Sequence, residues 1–238
     1  MPGTVDYIFS VATFAAEVAV LLCLARQRSL SRYFFVVLYM LASLIVHVGR
    51  YTVLFSLGLK SPEYFYFYYY SDALLSICLF FVLMGLYTQA FSDMGVKKYL
   101  RVGALVLLGG TAWFSYGIVE QMAIKESHLM LTRVVVEMSQ NLYFVGLVLT
   151  YLLWGAMLKV RENRLRLIQI VLVLGIYFSV FAANYAFRNL DPQFSLIWRY
   201  VPPLMGAVLP VAWYMTFWKI PEDARLATAR VAPVHHRQ

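Results

Sequence analysis

"SPEYFYFYYYSDALLS", residues 61–76, decides how this chain is read. Seven aromatic residues in a row, Tyr64 to Tyr70, run into Ser71 and Asp72, and an apolar stretch then continues from Ala73 to Tyr87. Rings at this density belong to a β-strand or to the headgroup rim of a membrane helix. Length chooses between them. The run Tyr64–Phe91 is too long and too continuously apolar for a barrel strand, whereas a membrane-crossing helix needs about 20 apolar residues. A helix also satisfies every backbone N–H and C=O inside lipid. Pro62 suits its first turn, and Tyr and Phe suit the interface.

Composition points the same way. The 238 residues are 62% hydrophobic and 13% charged, against roughly 45–50% and about 25% in soluble domains. A soluble fold has nowhere to hide that surplus, so the lipid bilayer is the expected partner. The net charge of +8 is spread between apolar spans, not gathered in a groove-sized patch, and no nucleic acid is expected. Cys23 and Cys78 lie inside apolar stretches and form no CxxC pair or disulfide framework.

Seven spans follow: Tyr7–Leu24, Tyr33–Leu54, Tyr64–Phe91, Val102–Val119, Thr132–Leu158, Leu167–Phe187 and Leu196–Trp218. The expected fold is an all-α integral membrane protein, a seven-transmembrane-helix bundle over residues 1–218. A disordered, basic cytoplasmic tail is expected over 219–238, where His235 and His236 are too few to hold a metal. The first span lacks a small-residue cleavage site and is expected to be a retained helix, not a signal peptide, and no fused soluble domain is expected. The first, third and fifth loops and the tail hold fourteen of the twenty Lys and Arg residues. Cytoplasmic loops carry such an excess, so the N-terminus is expected outside and the C-terminus inside a cell membrane.

A charge at the bilayer centre costs about 2.5–3.5 kcal/mol even on the lenient insertion scale. The residues that bear this cost are Glu17, His47, Arg50, Asp72, Arg133, Glu137, Asn141, Asn184, Arg188 and Arg199. Given the expected orientation, nearly all fall in the outer half. Arg133, Glu137 and Asn141 follow one another at four-residue spacing and share a helix face, while Tyr68, Tyr69 and Ser76 share the face of Asp72. The pattern describes a polar cavity open to the outside, with Asp72 at its floor opposite Arg50. Helices 1, 2, 3, 5, 6 and 7 would ring it. Arginine binds carboxylate and phosphate as a fork, so an anionic or zwitterionic small-molecule ligand is expected. The same residues would equally serve as interhelical ion pairs that fix register.

Several chemistries lack their residues. All six lysines lie at loops or helix ends, so none is placed for a retinal Schiff base. Only His47 lies within a span, one short of a bis-histidine haem. HExxH is absent. Ser43 and His47 lie one turn apart, but no GxSxG surrounds them, and a serine bonded within its own helix is expected. No enzyme activity, cofactor or metal is expected.

With seven spans, short loops and an outward polar cluster, the chain resembles small bacterial seven-helix membrane proteins of uncharacterised function. It also looks like the seven-helix sensory modules at the front of bacterial signalling proteins. That resemblance implies a non-enzymatic, receptor-like module whose basic cytoplasmic loops address a protein partner. Two alternatives stand beside it. Arg50 and Asn184 each follow a loop arginine by eighteen residues, and Pro62 and Pro192 begin helices 3 and 7. This register suits a small-solute transporter built as 3+1+3 parallel repeats. The other alternative is a structural subunit of a membrane complex.

Overall fold

The computed structural model describes residues 4–58, 61–95, 97–121, 127–160, 162–190 and 195–225. They form seven α-helices: α1 (Thr4–Arg26), α2 (Phe34–Leu57), α3 (Pro62–Ala90), α4 (Lys97–Gln121), α5 (Ser127–Lys159), α6 (Leu165–Leu190) and α7 (Ser195–Lys219). The described residues hold no strand, only one antiparallel bridge between Arg164 and Arg225. Five helices, α2 to α6, are long and apolar enough to cross a membrane. This is the architecture of an all-α, multi-pass membrane protein. Outward faces are apolar as lipid requires: Trp113 on α4 is 79% exposed and Ile45 on α2 72%.

Local chemistry sets the start of α3. Ser61 accepts a hydrogen bond from the Tyr64 amide at 3.1 Å, Pro62 opens the first turn, and Glu63 complements the helix dipole. The ring order is α1–α2–α3–α5–α6–α7, closing from α7 back to α1. Helix α4 stands outside that ring, packed chiefly on α5 and only lightly on α3. Two close approaches depend on glycine. A Cβ on Gly49 of α2 would come within 2.5 Å of the Phe67 ring of α3, and one on Gly146 of α5 within 2.5 Å of Phe178 of α6.

The interior between the two ends is continuous apolar packing, with Leu24, Met40, Phe80, Leu83, Leu153, Leu174, Trp213 and Phe217 all fully buried. Beyond it lies the arginine-rich end. There Arg166, 3% exposed, donates from Nε to the Ile220 carbonyl at 2.9 Å, and Gln27 donates to the Phe217 carbonyl at 2.7 Å. These side chains cap the carbonyls that α7 leaves open. Glu222 accepts from Ser29 at 3.2 Å, pairs with Arg32 and lies 4.0 Å from Arg166. The Leu165 amide donates to the Ala224 carbonyl at 3.0 Å.

This corrects the expectation of a disordered tail from residue 219. Lys219 ends α7, and residues 220–225 dock on the α1–α2 and α5–α6 connections, where buried Arg166 takes the Ile220 carbonyl and half-exposed Arg32 pairs with Glu222. Residues 226–238, including His235 and His236, fall outside the described residues, as does Pro192.

Candidate functional site

At the end opposite these arginines, α1, α2, α3, α6 and α7 enclose a cavity of about 370 Å³. Along α3 it reaches from Tyr64 to Leu75, eleven residues or about 16 Å at helical rise. Polar walls alternate with aromatic ones. His47, Arg50 and Asp72 face Tyr39, Tyr51, Tyr64, Tyr68, Tyr177 and Phe181.

Arg50 is held by its own neighbours. Its Nε donates to Ser71 Oγ at 3.0 Å, its Nη2 to the Tyr68 carbonyl at 3.2 Å, and its guanidinium lies 4.4 Å from the centre of the Tyr68 ring. The carbonyl is available because Ser71 and Arg50 share it, Ser71 donating at 2.9 Å. Asp72 turns the other way. Ser139 of α5 donates to its Oδ2 at 3.0 Å, and Tyr185 of α6 also reaches it. The expected Arg50–Asp72 ion pair is therefore not formed among the described residues. Each charge lines the cavity while bonded to something else.

Behind Asp72 a hydroxyl network crosses the bundle. Ser76 and Ser139 lie 2.8 Å apart. Tyr143 is bonded to Ser76 and to Tyr177, and Tyr177 to Tyr39. All three tyrosines are buried, and a hydroxyl in an apolar interior needs such partners. Phe181 stacks on Tyr143 at 4.7 Å and packs tilted against Tyr177 at 4.6 Å, fixing the wall on the α6 side.

Glu17 of α1 is 2% exposed and accepts two hydrogen bonds from α2: Ser43 Oγ at 2.5 Å and His47 Nδ1 at 3.1 Å. Ser43 thus bonds across helices, not within its own, which corrects the local-bond expectation. The buried carboxylate captures the hydroxyl because a desolvated carboxylate needs donors on both oxygens, and His47 serves the other one. The Ser43 hydroxyl thus meets the Glu17 carboxylate and not the His47 imidazole, which bonds the other carboxylate oxygen.

Helix α7 contributes a polar group that no side chain supplies. Pro210 has no N–H for the Gly206 carbonyl one turn earlier, and Gly206, Pro202 and Pro203 line the cavity. On α6, Asn184 follows Phe181 by three residues on the same face, and its Oδ1 is buried with no hydrogen-bond partner among the described residues.

Four of the eleven expected site residues therefore line one cavity, His47, Arg50, Tyr68 and Asp72, and Glu17 joins them from behind through Ser43 and His47. Tyr69 does not line the cavity; its ring packs on Phe65 at 4.5 Å and on Tyr68 at 5.5 Å. Arg133, Glu137 and Asn141 do share a face, but no described residue of α5 lines the cavity. Arg133 pairs with Glu137 at 3.7 Å, half exposed, and Asn141 donates to Ser115 of the peripheral α4 at 2.9 Å. Asn184 lies beside the cavity, and the side chains of Arg188 and Arg199 fall outside the described residues.

Tyr39, Tyr64, Tyr177 and Phe181 join the site without having been singled out in the sequence. Only the four-residue step from Tyr177 to Phe181 marks them. No family model matches the chain, and neither the curated proteins nor the solved structures contain a match.

Proposed function

We propose that this chain is a non-enzymatic, receptor-like membrane protein that binds a small zwitterionic or anionic molecule in the tyrosine-walled cavity. What supports this reading is the separation of Arg50 and Asp72. Opposite charges line one cavity, each oriented by a serine hydroxyl at 3.0 Å instead of by the other. A carboxylate of the ligand has the Arg50 fork, and an ammonium group has Asp72, the Gly206 carbonyl and the faces of the tyrosines. All seven helices span the bilayer in this reading. Helices α1 and α7, of 23 and 25 residues, reach about 35 Å or more at helical rise. The arginine-rich end faces the cytoplasm of a bacterial cell, where its loops address a protein partner.

The test is a thermal-stability screen of the purified protein against small zwitterions and anions. A ligand that raises Tm should lose its effect in both Arg50→Gln and Asp72→Asn. Stabilisation that survives both substitutions, or a screen in which no such molecule raises Tm, overturns the site.

One observation favours a second reading. The ring closes through α3 and α5 and leaves α4 outside, an arrangement compatible with two three-helix repeats joined by α4. Transport needs the buried layer around Met40, Phe80 and Trp213 to open toward the arginine-rich end. Solute flux in proteoliposomes, abolished by Arg50→Gln, would select it over a receptor.

A further inference from the structure

A second cavity, of about 580 Å³, lies at the arginine-rich end between α2, α3 and α4. It exists because α4 leans on α5 and leaves a slot beside α3. Three arginines, Arg32, Arg101 and Arg164, form its mouth, and among the described residues no acidic one lines it. Below them the wall is apolar: Phe35, Phe81 and Met84 on one side, Leu105 on the other. From Gln89 at the mouth to Phe81 is eight residues of α3, a depth of about 12 Å.

The three cations are not equivalent. Arg32 is paired with Glu222, and Arg164 with Glu162 at 2.6 Å. Arg101 is exposed and has no acidic partner among the described residues. Among the described residues the slot therefore presents one guanidinium without an acidic partner, flanked by two others, above an apolar-lined groove. An occupant must carry an anionic head and an apolar tail together. Basic pockets between membrane helices hold anionic headgroups in this way, and the volume falls within the ordinary range for ligand sites.

We infer that this slot binds one anionic phospholipid, its phosphate on Arg101 between Arg32 and Arg164, its upper acyl chain along Phe81 and Leu105. The lipid wedges α4 against the ring. Because Arg101 is exposed, its substitution does not disturb the packing of the bundle.

Native mass spectrometry of the full chain in neutral detergent tests this with phosphatidylglycerol, phosphatidylcholine and soluble glycerol 3-phosphate. The wild type should retain phosphatidylglycerol over phosphatidylcholine. Arg101→Gln should weaken phosphatidylglycerol retention about fivefold, the loss of one basic contact to an anionic lipid. Leu105→Trp, which fills the groove below the head, should weaken it with Arg101 intact. Equal retention of the two lipids overturns the inference, as does unchanged selectivity in Arg101→Gln. Displacement of phosphatidylglycerol by glycerol 3-phosphate also overturns it, because the occupant would then be a soluble anion.

Discussion

Arg50 and Asp72 line the same cavity yet are anchored on different helices' hydroxyls, Arg50 on Ser71 of α3 and Asp72 on Ser139 of α5, each at 3.0 Å. Two opposite charges inside one apolar bundle would ordinarily neutralise each other. Here serines hold them apart, and the space between them is what a ligand can use.

Their coupling should accordingly be small. In a double-mutant cycle on thermal stability in detergent, Arg50→Gln and Asp72→Asn should combine to within about 1 kcal/mol of additivity, as sites without a direct contact do. The charge swap Arg50→Asp with Asp72→Arg should fail to restore either stability or ligand binding, because neither serine anchor survives the exchange. Full recovery by the swap would mean that the residues are an interhelical lock.

The Glu17 carboxylate tethers α1 to α2 through two hydrogen bonds. Glu17→Ala leaves the Ser43 hydroxyl and the His47 imidazole without that acceptor and should destabilise by about 2–4 kcal/mol, given about 1–3 per orphaned buried group. Adding Ser43→Ala to it should cost little more, since the hydroxyl it removes is already unpaired. Denaturation in a detergent–denaturant titration gives both numbers. A large further loss would mean that Ser43 has another role.

Gly146 allows α5 to approach α6 where Phe178, 1% exposed, has no room to move. Gly146→Ala should lower stability by about 1–3 kcal/mol, the usual cost of overpacking. The paired change Gly146→Ala with Phe178→Leu should recover part of the loss. An unchanged Tm in the single variant would exclude the close approach.

At the arginine-rich end, burial opposes ionisation of Glu162, but hydrogen bonds from the Arg164 side chain and amide and the charge of Arg164 hold its carboxyl below the usual glutamate range. A carboxyl whose folded pKa is depressed contributes stability that is complete above its unfolded pKa, about 4.3. That contribution is lost as pH falls through the lower folded value. The stability difference between wild type and Glu162→Gln should therefore be constant near neutrality and shrink below about pH 4.3. A difference that persists undiminished into that acidic window would rule out the ionised pair.

How much of this was legible beforehand differs by residue. Residues 64–91 read as a helix without ambiguity, because lipid leaves an apolar chain of that length no other way to satisfy its backbone. Glu17, His47, Arg50 and Asp72 stood out for a related reason: polar groups in apolar helices are costly unless they meet. They do meet. Arg133, Glu137 and Asn141 had the same signature and were read into the same cavity, but helical spacing says only that residues share a face. It does not say which neighbour the face meets, and α4 outside the ring gives Asn141 its partner Ser115. Nothing local marks Glu222, because its partners Ser29 and Arg32 lie in the α1–α2 loop and Arg166 on α6, all distant in sequence.

For "SPEYFYFYYYSDALLS" the division is the same. The sequence by itself determined that this stretch enters a helix with rings at its rim and an acid one turn beyond, because backbone hydrogen bonding and the cost of buried charge are local. Only the tertiary structure decided that Tyr64 and Tyr68 line the cavity while Tyr69 packs on Phe65, and that Asp72 answers to Ser139 instead of Arg50. Those outcomes depend on how six helices close into a ring, a balance of packing among residues far apart in the chain that no local pattern encodes.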